Sequence, residues 1–340
     1  MVAMKKYVAP HADWGGRTLA VMFSVLLTAC ATHRPGPEGS QPPRLSSSSA
    51  LAAVGYSGMA QLDSEAYLVV HDTKAHKEGP RLGMIRINDG VPHYEPLWID
   101  DWKHEDGRSS DLESLCAIPG HPGEFLAAEN GYWQGKHGRI FHIAVHGAQA
   151  RVRNALPLPL LADNDEQHEG DNFEGIACAP QADGQILVIL GERGGSERYP
   201  TGVLRWGSFD PAADRVTWTR AGKAGEPVAA PGAWVDPQAK RDISDLHIDP
   251  EGTVWAVATE DAGDVGPFRS VIYKVATIRD DPERPLRIVE NGAVGWVVDG
   301  LKVEALSAAP ATSMHSFLSY ATEDEDLGGI WRPLYPAVKP

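Results

Sequence analysis

An all-β fold, and within that class a β-propeller, is what the sequence predicts, on three observations. A short motif recurs along the chain, a β-rich run follows each copy, and turn-forming residues separate the two; no long helical periodicity is present. The motif is a polar residue, an aliphatic one two positions on and a proline six on. Its copies are Glu113-Ser-Leu-Cys-Ala-Ile-Pro119, Glu174-Gly-Ile-Ala-Cys-Ala-Pro180, Ser244-Asp-Leu-His-Ile-Asp-Pro250 and Glu304-Ala-Leu-Ser-Ala-Ala-Pro310, with Ser57-Gly-Met-Ala-Gln-Leu-Asp63 a weaker fifth.

Each copy leads into an apolar run that ends in acid. These runs are Ala66-Tyr-Leu-Val-Val-His-Asp72, Glu124-Phe-Leu-Ala-Ala-Glu129, Ile186-Leu-Val-Ile-Leu-Gly-Glu192, Thr253-Val-Trp-Ala-Val-Ala-Thr-Glu-Asp261 and Ser316-Phe-Leu-Ser-Tyr-Ala-Thr-Glu-Asp324. Pro119-Gly120, Asp183-Gly184 and Glu251-Gly252 lie between motif and run, so each unit opens with a hairpin. Further strand patterns follow, such as Arg139 to Val145 then Ala150 to Asn154, and Ser270 to Val275 then Leu286 to Val289. The units start roughly 60 residues apart, longer than the about 40 to 50 of common propeller blades, and four strands fit in each. Radial repetition of four-stranded antiparallel sheets builds a propeller. Five blades are expected, with a sixth inside the long 174 to 244 interval as the alternative, although Ala221 to Arg241 reads as a Pro- and Gly-rich insertion. The unit after Glu304 has room for about three strands, so a strand from around Ala50 to Tyr56 is expected to complete it and close the ring. A solenoid has shorter repeats, and a sandwich has no reason to repeat its sequence.

Upstream of the repeats the chain has another character. Lys5, Lys6 and Arg17 precede an apolar run from Leu19 to Ala29, too short for a stable membrane span and suited to a signal-peptide core. It ends Leu27-Thr28-Ala29-Cys30, a pattern similar to the bacterial lipobox, which makes Cys30 the expected lipidation site. Residues 31 to 50 are rich in Pro, Gly and Ser and cannot bury enough surface to order themselves. The expected organisation is a lipoprotein signal peptide over 1–29, a lipidated Cys30 with a tether to residue 50, and one propeller domain over 51–340. Ala31 lacks the inner-membrane retention aspartate, so the expected location is the outer membrane, facing the periplasm or the cell surface.

The chain of 340 residues carries 31 Lys+Arg against 46 Asp+Glu, a net charge of −15. Lys5, Lys6 and Arg17 against Asp13 depart with the leader, so the remaining chain is more acidic still. Nucleic acid is excluded as a partner, because non-specific affinity comes from neutralising phosphates with Lys and Arg. The membrane is met only through the lipid anchor, and a monomer is expected. Cys116 and Cys178 each sit in an apolar strand pattern at non-equivalent motif positions. Two buried free thiols are expected there, with one disulfide as the alternative in an oxidising compartment.

The repeat also predicts where chemistry lies. First strands line a propeller's channel, and each second strand runs back antiparallel, so its end lies beside the start of the first. Glu113, Glu174 and Glu304, with Ser57 and Ser244, are placed on an inner ring. Asp72, Glu129, Glu192, Glu260, Asp261, Glu323 and Asp324 are placed just outside it. Crowded carboxylates raise one another's pKa or require a cation, and Ca²⁺ would take their oxygens; Glu113, Glu129, Glu174, Glu192, Glu260, Glu304 and Glu323 are the candidate ligands. Two alternatives stand beside this: carboxylates that accept backbone N–H bonds and lock the ring, and acid/base work without metal. Basic groups on the same face, Arg193 and His71 ahead of Lys74 and His76, suit a small anionic substrate such as a phosphate ester. Glu174, Arg193 and His71 are the catalytic candidates. No Gly-x-Ser-x-Gly elbow, His-Glu-x-x-His or Gly-x-x-x-x-Gly-Lys loop occurs.

Asp111-Leu-Glu-Ser-Leu, Asn172-Phe-Glu-Gly-Ile-Ala and Lys302-Val-Glu-Ala-Leu, each followed by a strand ending in acid, resemble the phytase-like propellers described as having esterase-like activity. The resemblance covers roughly residues 52 to 335. It implies an exported propeller that binds Ca²⁺ and hydrolyses phosphate or other esters. Only Glu113, Glu174 and Glu304 match the motif glutamate; Ser57 and Ser244 depart from it, and Asp245 is the candidate replacement if a bulge opens its strand. The alternative function is a non-catalytic propeller that binds a ligand or an envelope protein.

Overall fold

In the computed structural model, residues 55–72, 80–99, 102, 111–133, 136–159, 172–263, 266–323 and 328–336 are described. Cys30, the leader and tether, Lys74, His76 and Asp324 lie outside them. Residues 49–340 fall in one compact unit. Among the described residues no helix is long and apolar enough to cross a membrane.

The chain forms five antiparallel blades. Blade 1 is β1 (Gly58–Asp63), β2 (Ala66–Val70), β3 (Leu82–Asn88) and β4 (Val91–Leu97). Blade 2 is β5 (Leu112–Ala117), β6 (Glu124–Glu129), β9 (Arg139–His146) and β10 (Gln149–Pro157), with a small hairpin of β7 (Tyr132–Trp133) and β8 (Lys136–His137) ahead of β9. In blade 3, β11 (Phe173–Pro180), β12 (Ile186–Glu192) and β13 (Gly202–Asp210) carry two short outer strands, β14 (Arg215–Thr217) and β15 (Glu226–Val228), at opposite ends of β13. The five-residue helix α1 (Arg220–Ala224) joins those two, so the long interval holds an insertion and no sixth blade. Blade 4 is β16 (Lys240–Ile248), β17 (Thr253–Glu260), β18 (Arg269–Ile278) and β19 (Leu286–Asp299). Blade 5 has three strands among the described residues, β20 (Val303–Ala308), β21 (Leu318–Thr322) and β22 (Trp331–Leu334). The expected closing strand from Ala50 falls largely outside the described residues; of its end, the Tyr56 N–H donates to Thr322 O at 3.0 Å.

Second strands read as unbroken apolar runs because a blade is covered on both faces. Every residue of β2, β12 and β17 is buried. The hairpin glycines Gly120, Gly184 and Gly252 take φ of 79°, 82° and 80°, which side chains other than glycine rarely adopt. Five apolar clusters fill the five gaps between neighbouring blades, including that between blades 5 and 1, where Met59, Tyr67 and Val69 meet Ala305, Ala321 and Trp331. Each fully buried Leu, Ile, Val or Phe contributes about 1.5–3 kcal/mol, so the gaps hold the ring together. Inner strands approach closely: a Cβ on Gly175 would lie 2.7 Å from Leu246 Cγ.

Cys116 and Cys178 form a disulfide, with S–S 2.01 Å and Cα–Cα 5.7 Å, which corrects the expectation of free thiols. Their non-equivalence is the reason they can meet. Neighbouring blades face each other with opposite faces, and successive side chains of a strand point to opposite faces. A bridge from blade 2 to blade 3 therefore joins motif positions of opposite parity, as the fourth residue of one copy and the fifth of the next are.

Candidate active site at the channel mouth

The motif glutamates are bulge residues. Leu112 pairs with Glu129 and Ser114 with Ala128, which leaves Glu113 between them. Glu174 sits likewise between Phe173 and Gly175, and Glu304 between Val303 and Ala305. A bulge leaves one residue out of the ladder and re-aims its side chain, here into the channel. In blade 4 the irregularity is longer, from Arg241 to Asp245, and takes in Ser244.

Counting from the bulge fixes which second-strand residue reaches the mouth. In each blade one does so, Asp72, Asn130, Arg193, Thr259 and Glu323, and in blade 4 Asp261, two positions beyond Thr259, does as well. With Glu113, Glu174, Ser244 and Glu304 they line a cavity of ≈ 210 Å³, to which Asp111, Asn172, Arg241 and Lys302 also contribute. The residue just before each of them lies outside that lining: His71, Glu129, Glu192, Ala258, Glu260 and Thr322.

Three predicted ligands are therefore placed one step off the mouth, where they bind cations or backbone. Glu129 accepts from Arg139 Nε and Nη2 at 3.0 and 2.8 Å, from the Arg139 N–H at 2.8 Å and from buried Arg81 at 3.4 Å. Glu192 pairs with Arg205 Nε at 2.6 Å. Glu260 accepts from the N–H groups of Val235 and Asp236 at 3.0 and 2.7 Å. His71 is fully buried, with Nδ1 2.7 Å from Gly55 O and Nε2 2.9 Å from Tyr94 Oη, and burial pushes its pKa down to about 4. Asp245 does not stand in for the missing glutamate: it is buried and accepts the Leu306 N–H at 2.6 Å, tying blade 4 to blade 5.

The mouth itself has two sides. On the blade 5 side Lys302 Nζ lies 3.0 Å from Glu304 Oε1 and 3.1 Å from Glu323 Oε2, and Ser57 Oγ donates to Glu323 Oε1 at 2.9 Å. Burial, the Glu323 charge and the hydrogen bond to Glu323 raise Glu304 well above the carboxylate range. Burial acts against the Glu323 charge too, but the bonds from Glu304, Lys302 and Ser57 win and hold it low. Glu304 thus keeps its proton above the usual carboxylate range while Glu323 is held below it. Lys302 is kept charged by the two glutamates and Asp261 against the cost of its burial. On the other side Arg193 Nη1 stands 3.6 Å from Glu174 Oε1, and the Asn172 amide oxygen, in the orientation that satisfies both its ends, accepts from Arg193 Nη1 and Nη2 at 3.3 Å. Glu113 lies between the sides. Burial and the charges of Glu174, Glu323, Asp111 and Asp72 raise it well above its ordinary value.

Two sequence signals point to the residues that the motif alone misses. Asp111, Asn172 and Lys302 each precede a motif glutamate by two positions, the same-side spacing of a strand, and Asn130 directly follows the acid that ends its strand. Arg241 has no such signal, since only the irregular start of β16 brings it to the mouth.

Ca²⁺ takes six to eight oxygens at about 2.3–2.6 Å. Among the described residues no three His, Cys, Asp or Glu side chains converge to hold a metal ion, and Lys302 and Arg193 stand among the carboxylates that would supply them. The donors as placed do not fit the ion.

The five-bladed ring with its bulged glutamates defines an all-β propeller with a polar, acidic channel mouth. The chain belongs to the phytase-like family: a family model described as "Esterase-like activity of phytase" matches residues 52–308. No curated protein matches it. Among solved structures it is similar to a thermostable family-43 glycoside hydrolase (12% identity, TM-score 0.49, 84% of this chain and 91% of that one). An exo-1,5-alpha-L-arabinanase from a bovine ruminal metagenomic library matches at 10% identity and TM-score 0.45, over 83% of this chain and 93% of that one. A luciferin-regenerating enzyme matches at 11% and 0.38, over 84% and 93%. These neighbours lend this chain no substrate and no residue role.

Proposed function

We propose that the channel mouth hydrolyses a small anionic ester, such as a phosphate ester, by acid/base catalysis. The observation that carries this is the Glu304–Glu323 pair, whose carboxyl oxygens stand 3.0 and 3.1 Å from Lys302 Nζ at the channel mouth. Arg193, Arg241 and Lys302 attract the anionic group into an otherwise acidic site. Glu113, whose carboxyl keeps its proton above the usual carboxylate range, can donate a hydrogen bond to the bound anion. A water adds its oxygen to the ester centre and gives its proton to Glu323, the carboxylate held low beside Glu304; the bond to the leaving-group oxygen breaks, and that oxygen takes the Glu304 proton. Exchange with solvent restores both groups. No step is routed through a metal.

The test is a screen of p-nitrophenyl phosphate and p-nitrophenyl carboxylic esters with and without chelator, on wild type and Glu304→Gln. Turnover that survives chelation and falls with Glu304→Gln supports the reading. Turnover indifferent to Glu304→Gln overturns it. Binding of the anionic group without turnover leaves the mouth as a ligand-binding scaffold. In the cell, the protein is proposed to be lipid-anchored through Cys30 in the envelope; palmitate labelling that is absent in wild type and Cys30→Ser alike would reject the anchor.

A further inference from the structure

The opposite end of the channel holds a larger space. A cavity of ≈ 730 Å³ lies where the lower ends of β11, β16 and β18 and their turns meet. It shares Pro119, Cys178, His247, Ile248 and Ala308 with a second space of ≈ 260 Å³ at the foot of the channel. The first volume alone falls in the range of about 300–1,000 Å³ typical of small-molecule sites.

Its walls are apolar and stiff. Leu187, Ile248 and Ile278 line it with Pro180, Pro250 and Pro285, and proline fixes its own φ, so the walls are held open by the chain. His247, on β16, faces this space, and neither of its ring nitrogens has a hydrogen-bond partner among the described residues. Burial first, opposed by Asp249, pushes its pKa down to about 4, so at neutral pH it offers one donor and one acceptor without charge. Asp249 is engaged elsewhere, accepting from the Thr253 N–H and Trp255 Nε1 at 2.8 Å each. At the rim Asp183, Glu251, Asp280 and Asp281 outnumber Arg279, which repels anions.

We propose that this lower cavity binds an uncharged aromatic or polycyclic small molecule through its apolar body, with one carbonyl or hydroxyl of the ligand meeting His247. The site is separate from the mouth and selects the opposite chemistry, excluding the anionic esters assigned there.

Nile red, uncharged and carrying a carbonyl, is the probe, and anilinonaphthalene sulfonate its anionic counterpart, titrated against the full chain. Saturable Nile red binding is expected, with hydrogen-exchange protection confined to residues 178–187, 247–252 and 279–285. Ala182→Trp, on an exposed turn at the rim, is expected to abolish that protection by filling the space. His247→Leu is expected to weaken binding about tenfold, the loss of one hydrogen bond. The sulfonate is expected to bind at least tenfold more weakly and to gain on Glu251→Lys with Asp280→Lys. Protection elsewhere, protection retained in Ala182→Trp, binding unaffected by His247→Leu, or a sulfonate that binds wild type equally well overturns the proposal.

Discussion

Glu323 and Glu129 end equivalent second strands one register step apart, and that step separates a carboxyl in the channel mouth from one held in the gap between blades. Glu129, in the gap between blades, is gripped by Arg139 and Arg81. Glu323, on the channel, is hydrogen-bonded to Glu304 and meets Lys302 at 3.1 Å. Residue type is the same in both. What differs is which way the alternating strand turns the side chain, and the lesson extends around the ring: bulge residues and the residues opposite them face the mouth, while Glu129, Glu192 and Glu260, one step off, turn to cations or backbone N–H groups.

Four measurements set the two groups against each other. Glu304→Gln removes the proton donor and is expected to cost about 10²–10⁴-fold in kcat while leaving the melting temperature at or above wild type. A matching loss of stability would break the distinction. Glu129→Ala is expected to do the reverse. It leaves buried Arg81 without that carboxylate, a destabilisation of about 3–5 kcal/mol, read by urea unfolding, with kcat of the folded fraction close to wild type.

The pH response comes next in size. The fold keeps His71 neutral, with a pKa of about 4 against 6.5 in the free side chain. As pH falls below 6.5 the unfolded chain takes up the proton first, so stability declines between 6.5 and 4 and levels off below, by roughly 3 kcal/mol at most. His71→Gln should flatten that part of the stability profile. Glu113 has the opposite sign: the fold retains a proton that the unfolded chain releases above 4.5, so its contribution worsens as pH rises from there up to its raised pKa. Glu113→Gln should therefore raise the melting temperature at pH 8 by about 1–2 °C and leave it unchanged at pH 4; a fall at pH 8 would show that its charge is compensated after all.

The repeat made the five blade starts and the opening hairpins legible, because turn glycines and a polar-to-proline motif are local features. It also identified Glu113, Glu174 and Glu304 as channel residues. The bulges themselves were not legible, since a bulge is a mismatch between two strands and no residue type announces it here. Misplacing Glu129, Glu192 and Glu260 followed from that, as did overlooking their partners: Arg81 lies in another blade, and Val235 and Asp236 lie in a loop. The paired cysteines show the same limit. Their offset of one position reads as non-equivalence along the chain and as complementarity between facing sheets.

Gly55, the first described residue, lies against Glu323, where a Cβ would come within 2.6 Å of Glu323 Cγ. Any side chain at position 55 would displace Glu323, so the residue that opens the described fold also keeps clear the carboxylate that meets Lys302.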